Sequence, residues 1–333
     1  MIQFFDDTLG APHAMSTTNQ TWWLKELCNG LSLVAALVML IPLTKLLLTI
    51  PWFSPARTEV CPAPAKPRGR GAVMFWTIFV ISAAVACVTF IPLSAASQHV
   101  FSAAANKQNG WFFPGRMVNA VVLWSLVNGL FGLILLWIGH SMSKHRGADE
   151  PRNWGVRMTW AQTGRTLALA LLVITIFYTI LAIVYGFFHV DYRLFVVAAR
   201  PLTKRWFLIG LTYVPALFPF FFSNSLRVNA SMRFGNQRRW VNWLIIALAN
   251  SIGLAAIFVI QYVTFFSTGT VYWTTNWLYV NMLQSLLPMM IVLPLFNRAF
   301  YHATGRVWLG PIVTTTIFAL MALGGSVAYI PMF

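Results

Sequence analysis

The feature that most constrains this chain is a series of about eight long stretches almost free of charge. They lie near residues 27–50, 72–96, 117–139, 166–188, 206–226, 241–266, 274–296 and 309–332. Each reaches the roughly 18 residues that an α-helix needs to cross the hydrocarbon core of a bilayer. A helix there bonds all of its own backbone polar groups, whereas an open strand leaves them unpaired at several kcal/mol each. Barrel strands alternate polar and apolar residues over about ten positions, and Leu167–Ile183 is largely apolar on every face. The expected fold class is therefore all-α, a polytopic integral membrane bundle of about eight transmembrane helices. Composition agrees, since 9% of the 333 residues are charged against about a quarter in a soluble domain. The remaining polar stretches, 1–26, 51–71, 97–116 and 140–165, are too short for a separate core. The organisation read from the sequence is a polar N-terminal segment, 1–26, followed by one transmembrane domain, 27–333.

The charge balance, 23 Lys and Arg against 7 Asp and Glu, points to basic loops against anionic lipid headgroups rather than to a nucleic-acid partner. The loops after the first, third, fifth and seventh stretches collect fifteen cations, Arg57, Arg157, Arg233 and Arg298 among them. The opposite side collects seven. The positive-inside rule makes the fifteen-cation side cytoplasmic and places both termini outside. Four cations, Arg193, Arg200, Lys204 and Arg205, fall on the disfavoured side. The simplest reading lays Asp191–Arg205 flat in the interface with its cations snorkelling to headgroups; an acidic partner or a pocket would also account for them. The outward N-terminal segment is polar and lacks a signal-like apolar core. Either that tail crosses unaided or Met1 is not the natural start of the polypeptide.

Familiar catalytic patterns are missing from the sequence. The carboxylates Asp6, Asp7, Glu26, Glu59, Asp149, Glu150 and Asp191 all lie outside the middle of the stretches, where a proton-coupled transporter needs one. There is no H-E-x-x-H run. The fragment Gly324-Gly325-Ser326-Val327-Ala328 fails the G-x-S-x-G pattern at its last position, and its small residues read as helix packing. Cys28, Cys61 and Cys87 form neither a C-x-x-C pair nor a disulfide framework, and no cofactor or metal is expected. Tryptophans such as Trp22, Trp52, Trp240 and Trp277 mark the membrane interfaces.

Two groupings remain as candidate sites. Asn250 and Gln261 on one stretch and Asn281 and Gln284 on the next form a candidate polar seam, since amides in lipid turn inward to bond each other or to line a pathway. His189, Asp191 and Arg193, with His302 from the Tyr301–Arg306 turn, form a candidate interfacial cluster able to orient a polar headgroup. Their structural alternative is a capped helix end with Tyr192 in the aromatic belt.

Four segments taken together carry a resemblance. Phe4-Phe5-Asp6-Asp7 leads through Asn19-Gln20-Thr21-Trp22-Trp23-Leu24-Lys25-Glu26 into the first stretch. Val190-Asp191-Tyr192-Arg193 is followed by Arg200-Pro201-Leu202-Thr203, and the third segment is Phe222 to Asn229. The fourth is Tyr301-His302-Ala303-Thr304-Gly305 with Leu309-Gly310. The set resembles the C-terminal membrane region of bacterial α/β-hydrolase proteins, in which a dienelactone-hydrolase-like domain precedes a polytopic region. The resemblance implies a bacterial cytoplasmic membrane location. It also implies an outward-facing hydrolase domain joined at 1–26, with the nucleophile and triad upstream of Met1, so no catalytic residue carries over. The functional expectation is a membrane domain that anchors, and feeds substrate to, that hydrolase. The alternatives are a small-solute transporter or channel along the seam, and an intramembrane lipid-acting enzyme using His189, Asp191 and His302.

Overall fold

The computed structural model describes residue 8 and residues 22–106, 110–144, 154–194, 196–235 and 237–326. Eight long helices follow one another: α1 (Trp22–Leu47), α2 (Arg70–Val100), α3 (Arg116–Lys144), α4 (Trp160–Phe188), α5 (Lys204–Leu226), α6 (Arg239–Thr268), α7 (Trp277–Thr304) and α8 (Leu309–Ser326). Among the described residues, α1 to α7 are long and apolar enough to cross a membrane, and α8 is a shorter apolar helix. This is the all-α bundle of an integral membrane protein. At about 1.5 Å per residue, α4 with its 29 residues spans roughly 44 Å, enough to pass through a hydrocarbon core of about 30 Å. The first 21 residues, apart from Thr8, and residues 327–333 lie outside the described set, as do Asp149 and Glu150.

The shortest of the eight helices is the axial one. In α8, Leu309, Val313, Ile317, Phe318, Ala319, Leu320 and Leu323 are all almost fully buried, and the helix packs against α4, α5 and α7. A helix that is apolar all round belongs inside a bundle. The longer α2 is exposed along much of its length, through Val73, Trp76, Val80 and Val88, which suits contact with lipid.

Backbones approach most closely at glycines. A Cβ added at Gly129 of α3 would lie 2.6 Å from Phe220 Cα of α5, and one at Gly253 of α6 would lie 2.3 Å from the Ala83 carbonyl oxygen of α2. Without a hydrophobic force between helices in lipid, such close backbone packing is a main source of association. Prolines lie within α1 (Pro42), α2 (Pro92), α5 (Pro215, Pro219) and α7 (Pro288, Pro294). Neighbouring helices in a bundle can re-satisfy the backbone groups that such residues free.

The two ends of the bundle differ. At one, the chain between α4 and α5 forms an antiparallel hairpin of β1 (Tyr192–Leu194) and β2 (Val197–Ala199). It is pressed onto α1 and α8: Cβ atoms at Gly30 and Gly324 would lie 2.9 Å from Leu194 and 3.1 Å from Arg200. The stretch 191–205, expected to lie flat as an interfacial segment, folds back on itself here and enters α5 at Lys204. Asp191 accepts from Arg193 on one side of the turn and from Arg200 on the other, which ties the two strands together. At the other end the α1–α2 connection runs across the bundle, and Thr58 N–H donates to Thr304 O at 2.8 Å. Gly305 sits there at φ +70 with the Thr58 carbonyl 2.4 Å from any added Cβ, so both its left-handed backbone and its space require glycine.

A larger residue at the α3–α5 contact should therefore cost about 1–3 kcal/mol. Gly129→Val is expected to lower the thermal unfolding midpoint of the detergent-solubilised protein clearly. Gly186→Ala, which meets nothing within 4 Å, should leave it unchanged or slightly raised.

Candidate functional site

The candidate seam is divided among three places. Asn250 accepts a short hydrogen bond from Asn224 Nδ2 and donates to the Ile246 carbonyl at 2.7 Å. Gln261 lies eleven residues on, about 16 Å along α6, where its Oε1 accepts from Trp273 N–H at 2.9 Å and ties down the α6–α7 connection. Asn281 and Gln284 meet through Tyr262: the phenol donates to Asn281 Oδ1 at 3.4 Å and accepts from Gln284 Nε2 at 2.8 Å. Each of the four amides is thus engaged in holding one helix to another or to a loop.

Asn250 belongs to a larger network in the bundle interior. Asn297 of α7 donates to Asn224 Oδ1 at 3.2 Å, and Thr314 of α8 donates to Asn297 Oδ1 at 3.1 Å. Four helices, α5 to α8, are joined by this chain of side-chain bonds. One step further along, α5 continues into a π-helical turn, Arg227–Ser231, a distortion that recurs at functional sites. Asn229 in that turn donates to the Ser225 carbonyl at 2.9 Å and accepts from Arg298 Nε at 3.0 Å. Arg298 also donates to the Val228 carbonyl.

Arg298 and Arg233 are buried, at 4% and 7% exposure, and so are not the lipid-facing loop cations that the charge count made them. Arg233 donates to the Cys61 and Pro62 carbonyls at 2.6 and 3.2 Å, and its guanidinium stands 5.1 Å from the Tyr301 ring centre. Both arginines line a cleft of about 370 Å³ with Gln237, Arg239, Asn242 and His302. No carboxylate contributes to its wall. Arg227 lines a separate, mostly apolar cleft of about 520 Å³ between α2 and α3 and donates to Ser82 Oγ at 2.9 Å. Beside this end, Arg306 donates to the Arg157 carbonyl, and burial lowers its guanidinium from the ordinary arginine range.

The interfacial cluster is only partly assembled. Asp191 Oδ2 accepts from Arg193 at 2.7 Å and from Arg200 at 3.3 Å, which gives two of the four cations on the disfavoured side their reason. Arg205 stands 5.7 Å from the Trp111 ring. Burial raises the Tyr192 phenol above its ordinary range. His189 is the left-handed C-cap of α4 at φ +52, its N–H bonded to the Tyr185 carbonyl, which is the capping role set against the functional one. His302 lies at the opposite end of the bundle: α4 begins close to Gly155, which touches Gly305, and His189 is a full helix length away.

Sequence reasoning missed Asn229, Asn297 and the burial of Arg233 and Arg298. Their signal was the polar density of Ser223-Asn224-Ser225-Leu226-Arg227-Val228-Asn229 and the Asn297-Arg298 pair at the end of an apolar run. Fold and site together define an integral membrane protein with a bonded polar interior and a cationic cleft at one end. Comparisons with family models, curated proteins and solved structures find no match to this chain.

Removing one member of the interior network leaves buried partners unpaired, at a cost of about 1–3 kcal/mol. Asn297→Leu is expected to lower the unfolding midpoint in detergent, whereas Gln284→Leu at an exposed position should change it little.

Proposed function

We propose that this chain is the membrane domain of an outward-facing α/β hydrolase, a rigid helical anchor and not a conduit. The observation that carries the reading is the hairpin end, where the start of α1 lies against β1 at Gly30 and Leu194. The segment that the resemblance makes the junction to a hydrolase leads into that same helix. The hairpin beneath is held by one carboxylate between two arginines, with Asp191 and Arg200 side chains both 16% exposed, which makes a fixed platform. Three of the four resembling segments fall where the bundle keeps its polar structure: one forms the hairpin, and two supply Asn224, Asn229 and the Tyr301–Gly305 turn. On the charge count the hairpin faces outward and the arginine end faces the cytoplasm of a bacterial cell.

The alternatives draw less support. Transport along Asn250, Gln261, Asn281 and Gln284 needs one continuous polar path, and those amides stand in three separate bonded groups. A lipid-acting centre of His189, Asp191 and His302 needs residues that lie at opposite ends of the bundle.

The native product in membranes of the source organism, detected with an antibody to the purified chain, is expected to be much heavier than 37.4 kDa and to take up a fluorophosphonate serine-hydrolase probe. A product near that mass that stays unlabelled would overturn the proposal. Orientation has its own readout: in a cysteine-free background, Val196→Cys should react with a membrane-impermeant maleimide on intact cells, and Glu59→Cys only after permeabilisation.

A further inference from the structure

We infer that the cleft at the arginine end binds a phosphate ester that also carries free hydroxyl groups, the chemistry of a glycerol-bearing anionic headgroup. This goes beyond the hydrolase reading and does not depend on it. Two guanidinium groups, Arg233 and Arg298, are buried in the cleft wall, and Arg239 stands exposed at its rim. The hydrogen bonds of the buried pair go to carbonyl and amide oxygens, which satisfy donors without cancelling charge. Withdrawing a cation from water without an opposite charge is expensive, and an anion in the cleft offsets that cost for both residues at once. Glu59, with His302, lines the neighbouring cleft of about 400 Å³, is itself exposed, and is absent from the wall of this one.

The backbone adds to the same field. The 30-residue α6 begins at the cleft with no acidic residue in its first turn and no side chain capping its N-terminus. Its positive dipole end and first amides therefore suit an anion.

The unpartnered atoms define the rest of the ligand. Arg233 Nε is a buried donor without an acceptor, while Gln237 Oε1 and Asn242 Oδ1 are buried acceptors without a donor. Asn242 already spends its amide on the Phe234 carbonyl at 3.0 Å, so its oxygen needs a donor from elsewhere. A bare phosphate diester supplies acceptors alone, and a choline headgroup brings no donor. An ethanolamine headgroup brings its donor as a cation, which the arginines repel. Hydroxyls beside the phosphate meet both requirements. Phe234 separates this cleft from the apolar cleft that Phe75, Ile78 and Leu135 also line, which gives an acyl chain a place next to the headgroup and favours a lipid as the source.

The test is native mass spectrometry of the full chain in a mild detergent with added phosphatidylglycerol or phosphatidylcholine, each with and without millimolar sn-glycerol 3-phosphate. Phosphatidylglycerol should bind at least tenfold more tightly. Arg233→Gln and Arg239→Ala should each reduce that preference at least fivefold, and Arg193→Gln at the hairpin end should leave it intact. Competition by the soluble ester would show that the same site takes the free compound; its failure with the lipid preference intact would assign the site to lipid. Equal binding of the two lipids, or a preference unchanged in both cleft variants, would overturn the inference. Arg239 is at the surface, so Arg239→Ala keeps the test decisive if Arg233→Gln does not fold.

Discussion

A polar group withdrawn into lipid has to find its partner within the protein, and the bundle is organised around that requirement. Asn224, Asn250, Asn297 and Thr314 come from four helices and bond in sequence, so the rotation of each helix about its axis is set by the others. Apolar packing alone leaves rotation loosely defined, because one face of a lipid-exposed helix is much like another. The axial α8 shows the division of labour: its apolar side chains fill the centre, while Thr314 bonds Asn297 of α7 and Gly310 lets the same asparagine approach closely.

The same requirement is met differently at the two ends. At the hairpin, Asp191 pairs with both Arg193 and Arg200, and the carboxylate offsets part of their charge while it ties the two sides of the turn together. At the arginine end, carbonyl oxygens, an asparagine and a tyrosine ring receive the guanidinium groups. Those acceptors complete the geometry and leave the charge standing. An end built in the first way serves as a support, and one built in the second way attracts a counter-ion.

The fold was legible in the sequence because a membrane span is a one-dimensional signal: length and apolarity suffice, and the eight stretches match eight helices to within a few residues at most ends. The seventh departs most, predicted to end near 296 and running to Thr304. Asn297 and Arg298 read as the start of a loop when charge is used to mark a boundary, yet in the bundle they turn inward to partners on α5. Those partners are about 70 positions away, and side-chain pairing over that distance leaves no local pattern. The seam failed for a related reason. Spacing along α6 and α7 says which amides share a helix, but Asn250 is drawn to Asn224 on α5, which no count along one helix can reveal. Asp191 and Arg193 were legible because they are two residues apart; Arg200 joins them only once the hairpin turns.

The bond from Thr58 N–H to Thr304 O joins positions 246 residues apart. Cys61 and Pro62, which hold Arg233, belong to the same crossing segment. During synthesis at about 5–20 residues per second, the α1–α2 connection waits on the order of 10–50 s before its partners on α7 exist. The cationic cleft is therefore completed late, once α7 has been made, and a chain that stops before α7 lacks Arg298 and His302 altogether. Only a chain extended through α7 presents the full charge of the cleft, so a ligand held there reports that the seventh helix has joined the bundle.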